Sequence, residues 1–301
     1  VFDNFNKTKI YKMKISLKKP LLGIFAFLIV LFTMPLGHAA MIVMENVFGK
    51  ENVFFAAAIV GFLGVILLIL GIMSKKNTLA TLLGLFGGLF VWTGWIEFAF
   101  VYYANRFGVA PLMLNGEIVT KPEYLIMPSS VGFWSIFMIF YFFGSKSGCR
   151  FFNWFQKKLK LSNIFELQLT IKNNALTTFM EIILILWTFY LVLLFAYDNN
   201  FFGDRHPITY IVAYGSLLWS IILFVKLIRI QTFDYAIKYS IPTVIIFWNF
   251  VEVMGRWNFF SEFWIEPHKY GFELLLLTVT LIILAFIGIF STRHRKQLSR
   301  N

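Results

Sequence analysis

Apolar residues in this chain fall into eight long runs, each closed by a short stretch of charged residues or of Gly, Asn and Pro. The runs are Leu21–Val43, Phe54–Met73, Leu79–Tyr103, Met127–Phe143, Leu176–Tyr197, Ile208–Ile228, Ile237–Met254 and Tyr270–Phe290. A helix rises 1.5 Å per residue and needs about 20 residues to cross the hydrocarbon core of a bilayer. The fourth and seventh runs are the shortest, and Pro128 falls in the first turn of the fourth, where its missing N–H costs nothing. The pattern predicts an all-α membrane protein with eight transmembrane helices.

Composition sharpens this reading. The chain is 59% hydrophobic and 14% charged, with mean hydropathy +0.74, whereas a soluble domain carries about a quarter charged residues. The nine Trp gather near span ends, where amphipathic rings favour the interface. In a soluble protein the net charge of +12 would point to nucleic acid. Here the basic residues flank apolar spans, so membrane orientation and anionic lipid headgroups on the cytoplasmic side account for them. The expected partners are the bilayer and other membrane proteins, with no nucleic acid. The single Cys149 excludes a disulfide within the chain and reads as a plain free thiol.

The first run also resembles a secretory signal, with Lys14, Lys18 and Lys19 ahead of it and a small-residue site at Gly37-His38-Ala39. Because the apolar stretch continues through Met41-Ile42-Val43, the reading adopted is a retained span. Met13 is an alternative start for the chain.

Lys and Arg set the orientation. One side gathers 21 of the 27, including Lys75, Lys76, Lys146, Arg150, Lys157, Lys158, Lys226 and Arg229; the other holds Lys50, Arg106, Lys121, Arg205, Arg256 and Lys269. The positive-inside rule makes the basic side cytoplasmic, with both termini there, in a cell (inner) membrane. Eleven of the fifteen acids lie on the opposite side, which the rule does not require.

Five segments follow: a basic N-terminus at 1–20, a first four-helix half at 21–145, a basic amphipathic linker at 146–175, a second four-helix half at 176–290 and a basic tail at 291–301. In the outer connection, Asn115-Gly116 separates two short β-capable runs and predicts a hairpin, since both residues tolerate positive φ. In the linker, Phe151, Phe152, Phe155 and Leu159 share a helical face beside Lys157, Lys158 and Lys160, which predicts an interfacial helix. Residues 45–106 resemble 198–260 at a shift of 154, pairing Gly49 with Gly203, Gly61 with Gly215 and Lys75 with Arg229. Four spans per half would make these two parallel repeats about an axis along the membrane normal.

No motif for phosphate binding, zinc ligation or acyl transfer is present. What remains is a set of ionisable groups within or near the spans, which are costly in hydrocarbon and are functional candidates for that reason. Glu97, Glu252 and His38 fall at similar depth, roughly 22–27 Å along their helices at 1.5 Å per residue. With Trp92, Arg256 and His268 they form the candidate ligand-binding set. Glu252 also has a bland account: it and Arg256, like Asp234 and Lys238, stand at i, i+4 with the acid first, the order that favours an intrahelical ion pair. Glu97 has no such partner. Met34, His38, Met41 and Glu45 form one stripe along the first span, with donor types that suit a soft ion such as Cu(I), although Met is also ordinary apolar filler.

These features favour binding or transport of a small solute or cation at an outward-facing, acidic, aromatic-lined site. The competing readings are a non-catalytic subunit of a membrane complex and an intramembrane enzyme acting on a lipid-like substrate. The residues name no cofactor.

Overall fold

A computed structural model describes residues 19–114, 117–146, 150–158, 169–170 and 173–298. Eight of its helices are long and apolar enough to cross a membrane: α1 (Leu21–Gly49), α2 (Glu51–Met73), α3 (Asn77–Arg106), α4 (Pro122–Tyr141), α6 (Asn174–Tyr197), α7 (Pro207–Leu227), α8 (Phe233–Arg256) and α9, whose spanning part is Gly271–Phe290. The protein is thus a multi-pass helical membrane protein. Short helix α5 (Arg150–Lys158) lies between α4 and α6.

Helix α1 runs past its apolar stretch to Gly49, where φ of 65° and ψ of 176° break it from α2. Only glycine takes this backbone shape without steric cost. Pro207 opens α7 at its first turn, and the side chain of Asn173 caps α6 by accepting from the amides of Ala175 and Leu176. Both are signatures of a helix start.

The spans sort into two layers. Within their most apolar windows, 44% of α1, 61% of α3, 56% of α6 and 72% of α8 is buried, against 28% of α2, 17% of α4, 28% of α7 and 22% of α9. The inner four therefore face one another, and the outer four turn residues such as Phe62, Phe133, Ile211 and Phe272 outward. Water would penalise such faces, whereas hydrocarbon accepts them. The same order, inner then outer, recurs in residues 21–145 and 176–290.

Glycines bring inner helix α3 close to outer helix α2. A Cβ on Gly94 of α3 would sit 2.6 Å from the Ala57 carbonyl oxygen of α2, and one on Gly64 would sit 2.7 Å from that of Gly87. Small residues allow this backbone approach, which replaces the hydrophobic driving force that helices lack in lipid.

Strands β1 (Leu112–Leu114) and β2 (Glu117–Thr120) pair antiparallel on either side of Asn115-Gly116; those two residues lie outside the described ones. Ser145–Lys146 (β3) and Leu169–Thr170 (β4) form a two-residue parallel pair. In α5 the Phe155 ring packs 6.5 Å from Trp219 of α7, Gln156 is buried, and Trp154, Lys157 and Lys158 are exposed. The side chains of Phe151 and Phe152, and Leu159 and Lys160, lie outside the described residues, as do Cys149 and residues 1–18 of the basic N-terminus.

Candidate functional site

Each of the four inner helices sends one polar side chain to a common point nearer the acidic end of the bundle. His38 comes from α1, Glu97 from α3, Tyr190 from α6 and Glu252 from α8. The Tyr190 hydroxyl donates to Glu97 Oε1 at 3.4 Å and lies 3.3 Å from His38 Nε2. His38 Nε2 is in turn 3.3 Å from Glu252 Oε1. Glu252 Oε1 also accepts from Trp248 Nε1 at 2.6 Å. Two carboxylates, a phenol and an imidazole thus form one continuous chain across the bundle axis.

Local structure explains how Glu97 reaches it. Residues Trp92–Glu97 form a π-helical turn inside α3, with Trp92, Thr93, Gly94 and Glu97 buried. The wider turn, bonded i to i+5, carries Trp92 and Glu97 round to the same side. Trp95 is thrown outward, where its Nε1 donates to the Ala58 carbonyl at 3.1 Å. Such bulges are frequent at functional sites.

Aromatic rings enclose the chain. Trp92 lies 5.5 Å from Tyr190, and Trp248 stacks on His38 at 6.3 Å with an interplanar angle of 19°. Two connections close over it. Tyr124, at the start of α4, stacks on Tyr190 at 6.3 Å. Trp264, in the segment between α8 and α9, packs 5.0 Å from Trp248. The same segment places the Glu262 carboxyl against Gly255, where no side chain blocks it. Burial, followed by the nearby Glu252 charge, pushes the Glu262 carboxyl up to about 7.

Of the predicted set, the structure brings His38, Glu97, Glu252 and Trp92 together. Arg256 takes a different place from the intrahelical pair expected with Glu252. It forms an ion pair with Asp204, in the connection before α7. Its Nη2 donates to Thr120 of β2 at 3.1 Å, and its guanidinium lies 4.0 Å over the Tyr197 ring. Arg256 therefore ties β2, α6 and α8 together above the cluster, while Glu252 turns to His38. The expected Asp234–Lys238 pair also gives way: Lys238 Nζ donates to Asn174 Oδ1 at 2.9 Å. His268 is exposed and its Nε2 lies 3.1 Å from Asn46 Nδ2 at the end of α1.

The stripe along α1 divides. Met34 is buried in the main core and Met41 in a separate cluster with Val53, Ala57, Phe98 and Val101. Among the described residues no three His, Cys, Asp or Glu side chains stand close enough to hold a metal ion.

Tyr190, Trp264 and Glu262 were not expected from the sequence. Tyr190 sits in Leu186-Trp187-Thr188-Phe189-Tyr190-Leu191, one aromatic among several in an apolar run. Its one signal is a hydroxyl at the depth of Glu97 and His38. No family model, curated protein or solved structure matches the chain.

Proposed function

We propose that the protein binds a small cation or cationic solute through Glu97 and Glu252, at a site opening to the outside of the cell membrane. The observation that carries this reading is the convergence of one polar group from each inner helix on a single, partly buried chain ringed by Trp92, Trp248 and Tyr124, with Glu97 buried within it. Two carboxylates supply charge, aromatic faces add cation–π attraction, and His38 and Tyr190 adjust their hydrogen bonds to the occupant. Membrane carboxylates placed inside a bundle mark ion and substrate sites in general.

The orientation in this proposal follows the Lys and Arg distribution, with both termini cytoplasmic and the acidic end outside. Exposed Trp154, Lys157 and Lys158 on α5 support contact with anionic headgroups at the cytoplasmic surface. The matching inner–outer order of α1–α4 and α6–α9 supports two parallel repeats, in which Glu97 of α3 and Glu252 of α8 hold equivalent places.

Tryptophan fluorescence of the purified protein tests the site, because Trp92 and Trp248 line it. Titration with Na⁺, K⁺ and tetramethylammonium chloride is expected to give a saturable change for at least one of them, weakened at least tenfold in Glu97→Gln. A response that is linear for all three, or unchanged in the variant, overturns the proposal.

A further inference from the structure

Helices α6 and α8, which supply Tyr190 and Glu252, also carry ionisable groups at the basic end of the bundle. Glu181 of α6 has no exposed surface, and Lys238 of α8 is 5% exposed. Lys238 Nζ bonds to Asn174 Oδ1, and Asn174 and Glu181 are i, i+7 on α6, so both lie on one helix face. Thr188, seven residues beyond Glu181 on that same face, accepts from Trp134 Nε1 of α4 at 3.0 Å. These two helices run in opposite directions. Seven residues further toward the basic end, Tyr141 of α4 (4% exposed) falls at the level of Glu181.

The face of α8 that begins with Lys238 continues at i+4, i+7, i+11 and i+14 through Pro242, Ile245, Asn249 and Glu252. Asn249 is 3% exposed, and its Nδ2 has no hydrogen-bond partner. A buried amide donor without a partner is costly to the fold. One side of α8 thus joins the outer cluster to Lys238 through a polar group with spare bonding capacity. Glu181 lies nine residues before Tyr190, roughly 13.5 Å along α6 at 1.5 Å per residue.

We propose that Glu181 is a second proton station, and that protons pass between it and the His38–Tyr190–Glu97–Glu252 chain along the α6–α8 seam. This inference rests on the outer site proposed above and adds a proton path to it. Glu–Tyr–His chains hold and hand on protons, and buried carboxyls aligned through a bundle are the usual relay elements in membrane carriers. One proton enters on the outer chain, crosses past Asn249 and is taken up by the Glu181 carboxylate. The Glu181 carboxyl then releases one proton to the opposite side, which returns both stations to their starting state. Titratable groups on the neighbouring helices at this end include Tyr141 of α4, level with Glu181, and Lys238 of α8, which bonds Asn174 two turns away, with Asp234 one turn before Lys238 in sequence; α3 has no titratable residue along Asn77–Val91, the part beside α6.

The test uses the full chain reconstituted in liposomes that enclose a pH-sensitive dye, with a K⁺ diffusion potential driving proton entry. Wild-type protein is expected to acidify the interior. Glu181→Gln is expected to reduce the rate at least tenfold while keeping the Glu97-dependent tryptophan response, and Glu181→Asp to recover part of the rate. Unaltered flux in Glu181→Gln overturns the second station. A wild-type protein that carries no protons but keeps the Glu97-dependent response overturns proton passage and leaves the outer site standing. Loss of that response in wild type would instead remove the outer site itself.

Discussion

The hydroxyl of Tyr190 on α6 donates to the carboxylate of Glu97 on α3 at 3.4 Å, and that contact closes the path from α3 to His38 and Glu252. Removing the hydroxyl alone breaks the chain at its centre while leaving the ring between Trp92 and Tyr124. Tyr190→Phe is expected to cost about 1–3 kcal/mol, because Glu97 and His38 each lose a partly buried partner. Thermal unfolding in detergent measures this, and an unchanged midpoint would show that the bond contributes nothing to the fold.

Close packing of α3 on α2 holds the π turn in place. Gly94→Ala sets a Cβ against the Ala57 carbonyl, a backbone atom that cannot swing away. The cost expected for such overpacking is about 1–3 kcal/mol. Because the shift reaches Glu97 three residues on, the variant is also expected to weaken the cation-dependent tryptophan response. A variant with wild-type stability and response would mean that the backbone contact is not needed.

Arg256 fastens the outer connections to α8 through Asp204 and Thr120. Asp204→Asn removes the charge from that pair and is expected to cost about 2 kcal/mol, in the range of hydrogen bonds to charged groups. The loss should be local. Hydrogen exchange at Leu112–Leu114 and Glu117–Thr120 is predicted to speed up, while exchange in α6 stays slow. Equal protection of both strands in the two proteins would contradict the fastening role.

Glu262 gives the account a pH dependence. Its carboxyl is raised to about 7 from an ordinary value of 4.5, chiefly by burial. The neutral carboxyl suits the folded state, so its contribution to stability is full below about 4.5 and is lost as pH rises through about 7. Glu262→Gln is therefore expected to flatten the stability profile between pH 4.5 and 7. At pH 8 the variant should be more stable than wild type. Parallel profiles for the two proteins across that window would show that Glu262 titrates as an exposed carboxyl does.

All eight spans were legible in the sequence, because length and apolarity are what a bilayer demands of a helix. Counting 1.5 Å per residue sufficed to set His38, Glu97 and Glu252 at one level, and they do meet. The rest was hidden for physical reasons. The π turn at Trp92–Glu97 leaves no mark on hydrophobic spacing over six residues. Local spacing offered Glu252 to Arg256, but each residue has a partner far away in sequence, His38 and Asp204, and no i, i+4 rule sees tertiary partners. Helix α1 continues past Val43 to Gly49 because apolarity ends before the helix does; the break comes where the backbone needs positive φ. Tyr190 and Trp264 act by position, and their types are too common in this chain to stand out.

Native mass spectrometry after gentle extraction tests the central claim most directly, since it reads bound mass without prior choice of ligand. Wild-type protein is predicted to carry a small adduct of fixed mass that disappears in both Glu97→Gln and His38→Ala. An adduct that persists unchanged in both variants, or a wild-type mass equal to that of the bare chain, would contradict a binding site built from the four inner helices.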